Sequence, residues 1–196
     1  MPQSRDIEFL YEIGSLNNVD RSWRQHLAMK CATVPEHTMR VIWLALLIAR
    51  QETGADEDLI IKMAMVHDIA ETRVSDLSYI QKVYVTPDEN RAVSDLFAGT
   101  VFGDFENILK KYDARDSLEA KIVKDADNLD VEIELKELEE RGSKLSQKWA
   151  ATRRIVRDKK LYTDSARTIW DELQTSDPAD WHLTSNKWYK MPDTGR

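Results

Sequence analysis

Along most of the chain apolar residues return every three or four positions, the period of a helix with one buried face. Ile7, Leu10, Tyr11 and Ile13 mark a first helix over residues 6–13, with Gly14 as its stop. Residues 34–52 predict a second, whose middle, Val41 to Ala49, is apolar on every side and so belongs inside a bundle. Gly54 ends it, Asp56 can cap the next, and that helix spans residues 57–70. After the start signal Thr86-Pro87-Asp88-Glu89, Ala92, Val93, Leu96 and Phe97 share a face; beyond Gly99 and Gly103, so do Phe105, Ile108, Leu109 and Tyr112. The longest helix runs from Ser117 through Arg141 on Leu118, Ile122, Val123, Ala126, Leu129, Ile133 and Leu138, until Gly142 stops it. Two more cover residues 145–158 and 164–174.

The stretches that break this period carry their own information. Residues 15–33 have no convincing repeat and contain Arg21-Ser22-Trp23-Arg24-Gln25-His26, the composition of a ligand-contacting loop. Residues 77–87 are rich in β-branched and aromatic side chains, yet no second strand candidate exists to pair with them, so loop and short helix are expected. Glu132 to Glu140 reads as a solvated face, with Lys136 and Arg141 as pairing partners. From Asp177 onward Pro178, Trp181, His182, Trp188, Tyr189 and Pro192 follow no period, which predicts an extended aromatic tail over 177–196. The expectation is an all-α fold, one helical bundle over residues 1–176 with that tail appended.

Composition narrows the function classes. Hydrophobic residues at 42% and charged residues at 32% describe a globular chain rather than a disordered one. A net charge of −7 argues against duplex nucleic acid as a partner, because that needs a basic face. The longest apolar run is nine residues, too short for a bilayer, and the N-terminus lacks a signal-peptide layout. Cys31, the single cysteine, excludes an internal disulfide and reads as a small buried residue in a reducing compartment, so the protein is expected to be cytoplasmic.

The candidate chemistry lies in residues 59–76, where a nearly all-apolar helix runs into His67-Asp68, followed by Glu71 and Asp76. An unpaired charge in a buried helix costs several kcal/mol. A bound cation would satisfy the histidine and the carboxylate together. Of the four histidines, His37 follows Thr33-Val-Pro-Glu36, the spacing of a capping box with Pro35 in the first turn, so it opens a helix. In the long helix Asp127 shares the edge of the buried stripe with Val123 and Ala126, whereas Asp125 is rotated about 200° away and reads as solvated. Two imidazoles and two carboxylates suit Mn, Co, Fe or Ni better than Mg.

The order His37, His67-Asp68, Asp127 is an H…HD…D pattern, and the chain resembles the HD-domain metal-dependent phosphohydrolases. Trp23 stands fourteen residues before His37, Glu36 directly before it, and His67-Asp68-Ile69-Ala70-Glu71 runs on to Asp76-Leu77. All of this is similar to the HD-type 5′-deoxynucleotidases, which remove phosphate from deoxynucleoside monophosphates. The likeness covers about residues 5–140. It implies His37, His67, Asp68 and Asp127 as metal ligands, and Glu71 as the group that takes a proton from water or orients it. It also implies Trp23 at the substrate and Asp76 as a second acid that helps hold the nucleoside or protonates the leaving oxygen. The arginine that usually precedes the Trp is Ser22 here, so Arg21 or Arg24 would supply the guanidinium fork for phosphate. His26 reads as solvated and Lys124 as a surface lysine. Dimers are usual among similar proteins, so a homodimer is expected, with the apolar helices near the C-terminus as its surface. Two alternatives remain open: a deoxynucleoside triphosphate triphosphohydrolase, and a catalytically silent, metal-stabilised helical interaction module.

Overall fold

The computed structural model describes residues 4–183, and among them every regular element is helical. In chain order these are α1 (Ser4–Gly14), α2 (Arg24–Leu27), α3 (Val34–Ala49), α4 (Glu57–Val66), α5 (Glu71–Val74), α6 (Glu89–Phe97), α7 (Phe105–Ala114), α8 (Leu118–Glu140), α9 (Leu145–Lys159), α10 (Asp164–Thr175) and α11 (Asp180–Leu183). Single 3-10 turns cover Ser15–Asn18 and Gln81–Val83, so the β-branched stretch before Pro87 is loop and short helix, as its lack of a partner strand predicts. Trp188, Tyr189 and Pro192 of the aromatic tail lie outside the described residues.

The bundle is built around α8. Ser117 starts it by accepting from the Ala120 N–H at 3.2 Å. From there Ala120, Ile122, Val123, Ala126 and Leu129 are fully enclosed. α3 and α4 pack on one side, α7 and α10 on others, and Ile48, Ile60, Met63 and Leu96 fill the space between.

Enclosure on several sides explains two departures from the sequence reading. Asp125 is buried, not solvated: its carboxylate accepts from the Tyr162 N–H, the Thr163 N–H and the Thr163 hydroxyl, each at 2.8 Å. A helix in the middle of a bundle has more than one buried face, and the face opposite Asp127 meets the start of α10. Likewise Glu132 and Glu134 are not part of a solvated face. Glu132 pairs with Arg153, Glu134 accepts from the Ala32 N–H at 2.8 Å, and Lys136 donates to the Gln174 carbonyl at 3.4 Å. α3 departs the other way. Its sequence is apolar all round, but Met39, Trp43 and Leu47, spaced four apart, form an exposed stripe, because α4 and α8 cover only its other faces.

Removing the Asp125 carboxylate leaves two backbone N–H groups without their acceptor. Asp125→Ala is expected to lower unfolding stability by about 3 kcal/mol, and Asp125→Asn by less because one acceptor oxygen remains. Urea unfolding of the two variants beside the parent checks this ranking.

Candidate active site

The start of α3, the end of α4 and the middle of α8 meet at one place in the bundle. At the start of α3 the Glu36 carboxylate accepts from the Thr33 N–H at 2.7 Å, which fixes the first turn and buries His37 in it. α4 stops being α-helical at Val66, four residues earlier than its apolar pattern predicts. Over residues 67–70 the backbone tightens into bonds three residues apart, Ile69 N–H to Val66 and Glu71 N–H to Asp68, each 3.0 Å. Adjacent helical side chains diverge by about 100°. The tightened turn is what lets His67 and Asp68 reach a common point. α8 brings Asp127 and, one turn on, Asp130.

The hydrogen bonds at the far side of each imidazole decide what the near side presents. His67 Nδ1 lies 2.7 Å from the Ala64 carbonyl, which can only accept, so Nδ1 carries the proton. His37 Nδ1 lies 2.5 Å from Asp130 Oδ2 and is likewise the protonated nitrogen. Both Nε2 atoms therefore offer lone pairs, and they face each other at 3.2 Å. Asp68 Oδ2 stands 3.4 Å from His37 Nε2 and 3.2 Å from His67 Nε2, and Asp127 Oδ1 3.3 Å from His37 Nε2. His37, His67 and Asp127 can each offer one atom within 4.8 Å of the others, a grouping able to hold a metal ion. Four electron-pair donors aimed at one point are stable only around a cation. A proton competes for the same point: burial disfavours the His37 imidazolium, but hydrogen bonds to Asp127, Asp130 and Asp68 outweigh it and hold the pKa well above the usual histidine value, so the Nε2 lone pair is free for a metal only when that proton is displaced.

Arg21 borders the cluster, its guanidinium 3.3 Å from Asp68 and 3.6 Å from Asp76. Asp76 Oδ2 also accepts from the Ser22 N–H at 2.9 Å, which ties the Arg21 loop to the site. Glu71 has a buried oxygen, Oε2, with no hydrogen-bond partner among the described residues. Burial, then the nearby charges of Asp68 and Asp76, push its pKa up to about 9.

Arg24 is not brought to the cluster. It is exposed and pairs with Asp20 one turn back. Trp23 stands beside the site, its ring centroid 5.6 Å from that of Trp149, and His26 is exposed as expected, with one ring contact to Tyr79. Lys124 is more than a surface lysine: its Nζ lies 2.7 Å from Asp127 Oδ2. Cys31 is buried as expected. Sequence reasoning missed Asp130, although its position three residues after Asp127 puts it on the same helix face. It also missed Arg40, whose Nε is 2.6 Å from Asp130 Oδ1, and Trp149, whose contact across more than a hundred residues has no local signal.

The profile of the HD domain family matches residues 13–172, and the chain belongs to that family. Among curated relatives, 5′-deoxynucleotidase HDDC2 of Danio rerio is 28% identical over 141 residues, covering 68% of this chain and 70% of that protein. The Homo sapiens protein of the same name is 23% identical over 141 residues, 68% of each chain. Among solved structures, a conserved hypothetical protein from Pyrococcus furiosus superposes with a TM-score of 0.73 at 26% identity, over 86% of this chain and 98% of that one. A protein from Magnetospirillum magnetotacticum, described as a predicted metal-dependent phosphohydrolase, shares the fold with a TM-score of 0.69 at 18% identity, over 87% and 90% of the two chains.

Proposed function

We propose that the protein is a metal-dependent phosphomonoesterase that removes the 5′-phosphate from deoxynucleoside monophosphates, with His37, His67, Asp68 and Asp127 as ligands to a divalent transition metal. The observation that carries this reading is the 3.2 Å approach of two imidazole lone pairs flanked by two carboxylates. The residues fit such an ion. Both Nδ1 protons are committed elsewhere, so neither Nε2 can donate to the other. The mixed nitrogen and oxygen donors favour Mn, Co, Fe or Ni over Mg. When bound, the ion supplies positive charge that polarises the phosphorus centre and offsets the surrounding carboxylates.

The protein's own groups divide the remaining work. Arg21, held at the edge of the cluster, presents a planar fork to the phosphate oxygens. Glu71, with an oxygen unpartnered among the described residues, takes the proton of the attacking water or orients that water. Asp76 keeps the Arg21 loop in place through Ser22 and stands where the leaving nucleoside departs. Trp23 borders that nucleoside. The names of the curated relatives support this substrate class. A purely structural metal site has no use for a buried carboxylate such as Glu71, which weighs against a silent interaction module.

Asp68→Asn is expected to lose both metal content, measured by elemental analysis, and turnover. Glu71→Ala should keep the metal and lose rate by about a hundredfold or more; full turnover in this variant would remove Glu71 from the mechanism. A nucleotide panel with Mn or Co separates the two enzyme readings. Free phosphate from dAMP is the expected product, and triphosphate released from dATP would replace this reading with the triphosphohydrolase.

A further inference from the structure

Among the described helices longer than four residues, α9 alone has no buried residue. Polar anchors hold it instead: Arg153 pairs with buried Glu132 and donates to the Asn128 carbonyl of α8 at 3.0 Å. One turn before Arg153, Trp149 leans on Trp23 with ring centroids 5.6 Å apart and planes inclined by 36°. Tyr79, from the loop after Asp76, turns its edge toward Trp149 at 6.4 Å and 78°. Together with Arg21, Asp76 and Arg153 these rings line a cavity of about 430 Å³.

Position decides what this cavity receives. Arg21, which lines it, also lies 3.3 Å from Asp68 at the edge of the cluster, so a molecule whose phosphate meets Arg21 has the rest of its body here. A second cavity, about 510 Å³, also touches the cluster at His67, but Glu89, Glu106 and Asp113 line it against one lysine, Lys110. That excess of carboxylates repels a phosphomonoester. Flat indole and phenol faces, by contrast, take a planar aromatic ring in offset or edge contact.

We infer that Trp149 and Tyr79 complete, with Trp23, a platform on which the nucleobase of the substrate stacks, making α9 the substrate-recognition element of this chain. This rests on the phosphomonoesterase reading and extends it. Stacking uses the π-face that every base possesses, so bases are weakly discriminated and purines, with the larger face, bind better.

The test compares wild type, Trp149→Ala and Trp149→Phe on dAMP and on deoxyribose 5-phosphate, which keeps the sugar and phosphate but lacks the base. Trp149→Ala should raise KM for dAMP roughly tenfold with kcat within about twofold, and leave deoxyribose 5-phosphate kinetics unchanged. Trp149→Phe should recover most of the loss. Unchanged KM for dAMP, or an equal loss on both substrates, overturns the platform while leaving the hydrolase intact. Should wild type hydrolyse neither compound, the phosphomonoesterase reading fails, and binding of deoxyadenosine read by tryptophan fluorescence still decides the platform. Quenching in wild type that is lost in Trp149→Ala and in Tyr79→Ala supports it, and no quenching in wild type overturns it.

Discussion

Two hydrogen bonds on the outer edges of two imidazoles govern the centre of this protein. The Ala64 carbonyl and the Asp130 carboxylate each claim an Nδ1 proton, and that choice of tautomer forces both Nε2 lone pairs inward. The rest of the bundle serves to hold those edges still. Ala64 belongs to the last turn of α4, packed on α3 and α8, so its carbonyl moves only if the core moves. Asp130 is pinned in turn by Arg40, which also bonds Glu137 at 2.8 Å, so the chain of contacts runs from the core face of α3 to the far end of α8. Such outer partners set ligand orientation as much as the ligands do.

α8 carries this arrangement because it has no single outer face. Asp127 and Asp130 look toward the histidines, Asp125 toward the start of α10, Glu132 toward α9 and Glu134 toward the loop before α3. Asp127 and Asp130 both meet His37 of α3, and Asp125, Glu132 and Glu134 are each matched by a donor from a different neighbour. Burying charge in this way adds little net stability compared with an apolar core, but a wrong docking of any neighbour would leave an acid unpaired, at several kcal/mol. The acidic residues thus fix which neighbour sits on which side of the helix.

That same property marks where the sequence was legible. Periodicity located α3, α4, α6, α7, α8, α9 and α10 to within a few residues, because each has at least one apolar face. The His and Asp spacing pointed to His37, His67, Asp68 and Asp127, which the fold brings together. What periodicity could not express is a helix enclosed on several sides. A one-stripe picture made Asp125, Glu132 and Glu134 solvent-facing, since their partners, Thr163, Arg153 and Ala32, lie on other elements. The early end of α4 was hidden for a related reason: Ile69 and Ala70 continue the apolar pattern through a turn whose backbone has already tightened.

Charge around the site connects its architecture to the substrate. Asp68, Asp127, Asp130, Glu71 and Asp76 converge within a chain that is already net negative, and Arg21, Arg40 and Lys124 are the cationic side chains that meet them. With Glu71 ionised and both histidines neutral, as a metal-binding and water-activating site requires, five carboxylates against three cations leave an excess of two negative charges, which would repel a phosphate however well Arg21 is aimed. Arg21 itself is committed to Asp68 and Asp76. The raised pKa of Glu71 is the local sign of this excess, since burial and its neighbours Asp68 and Asp76 make the deprotonated form costly. A dication held by His37, His67, Asp68 and Asp127 would cancel that surplus by its own charge and would favour an ionised Glu71. The same charge frees part of the Arg21 field for an anion. Under the proposed function, cation binding therefore comes before phosphate binding, and the acidity of the site is the reason the order runs that way.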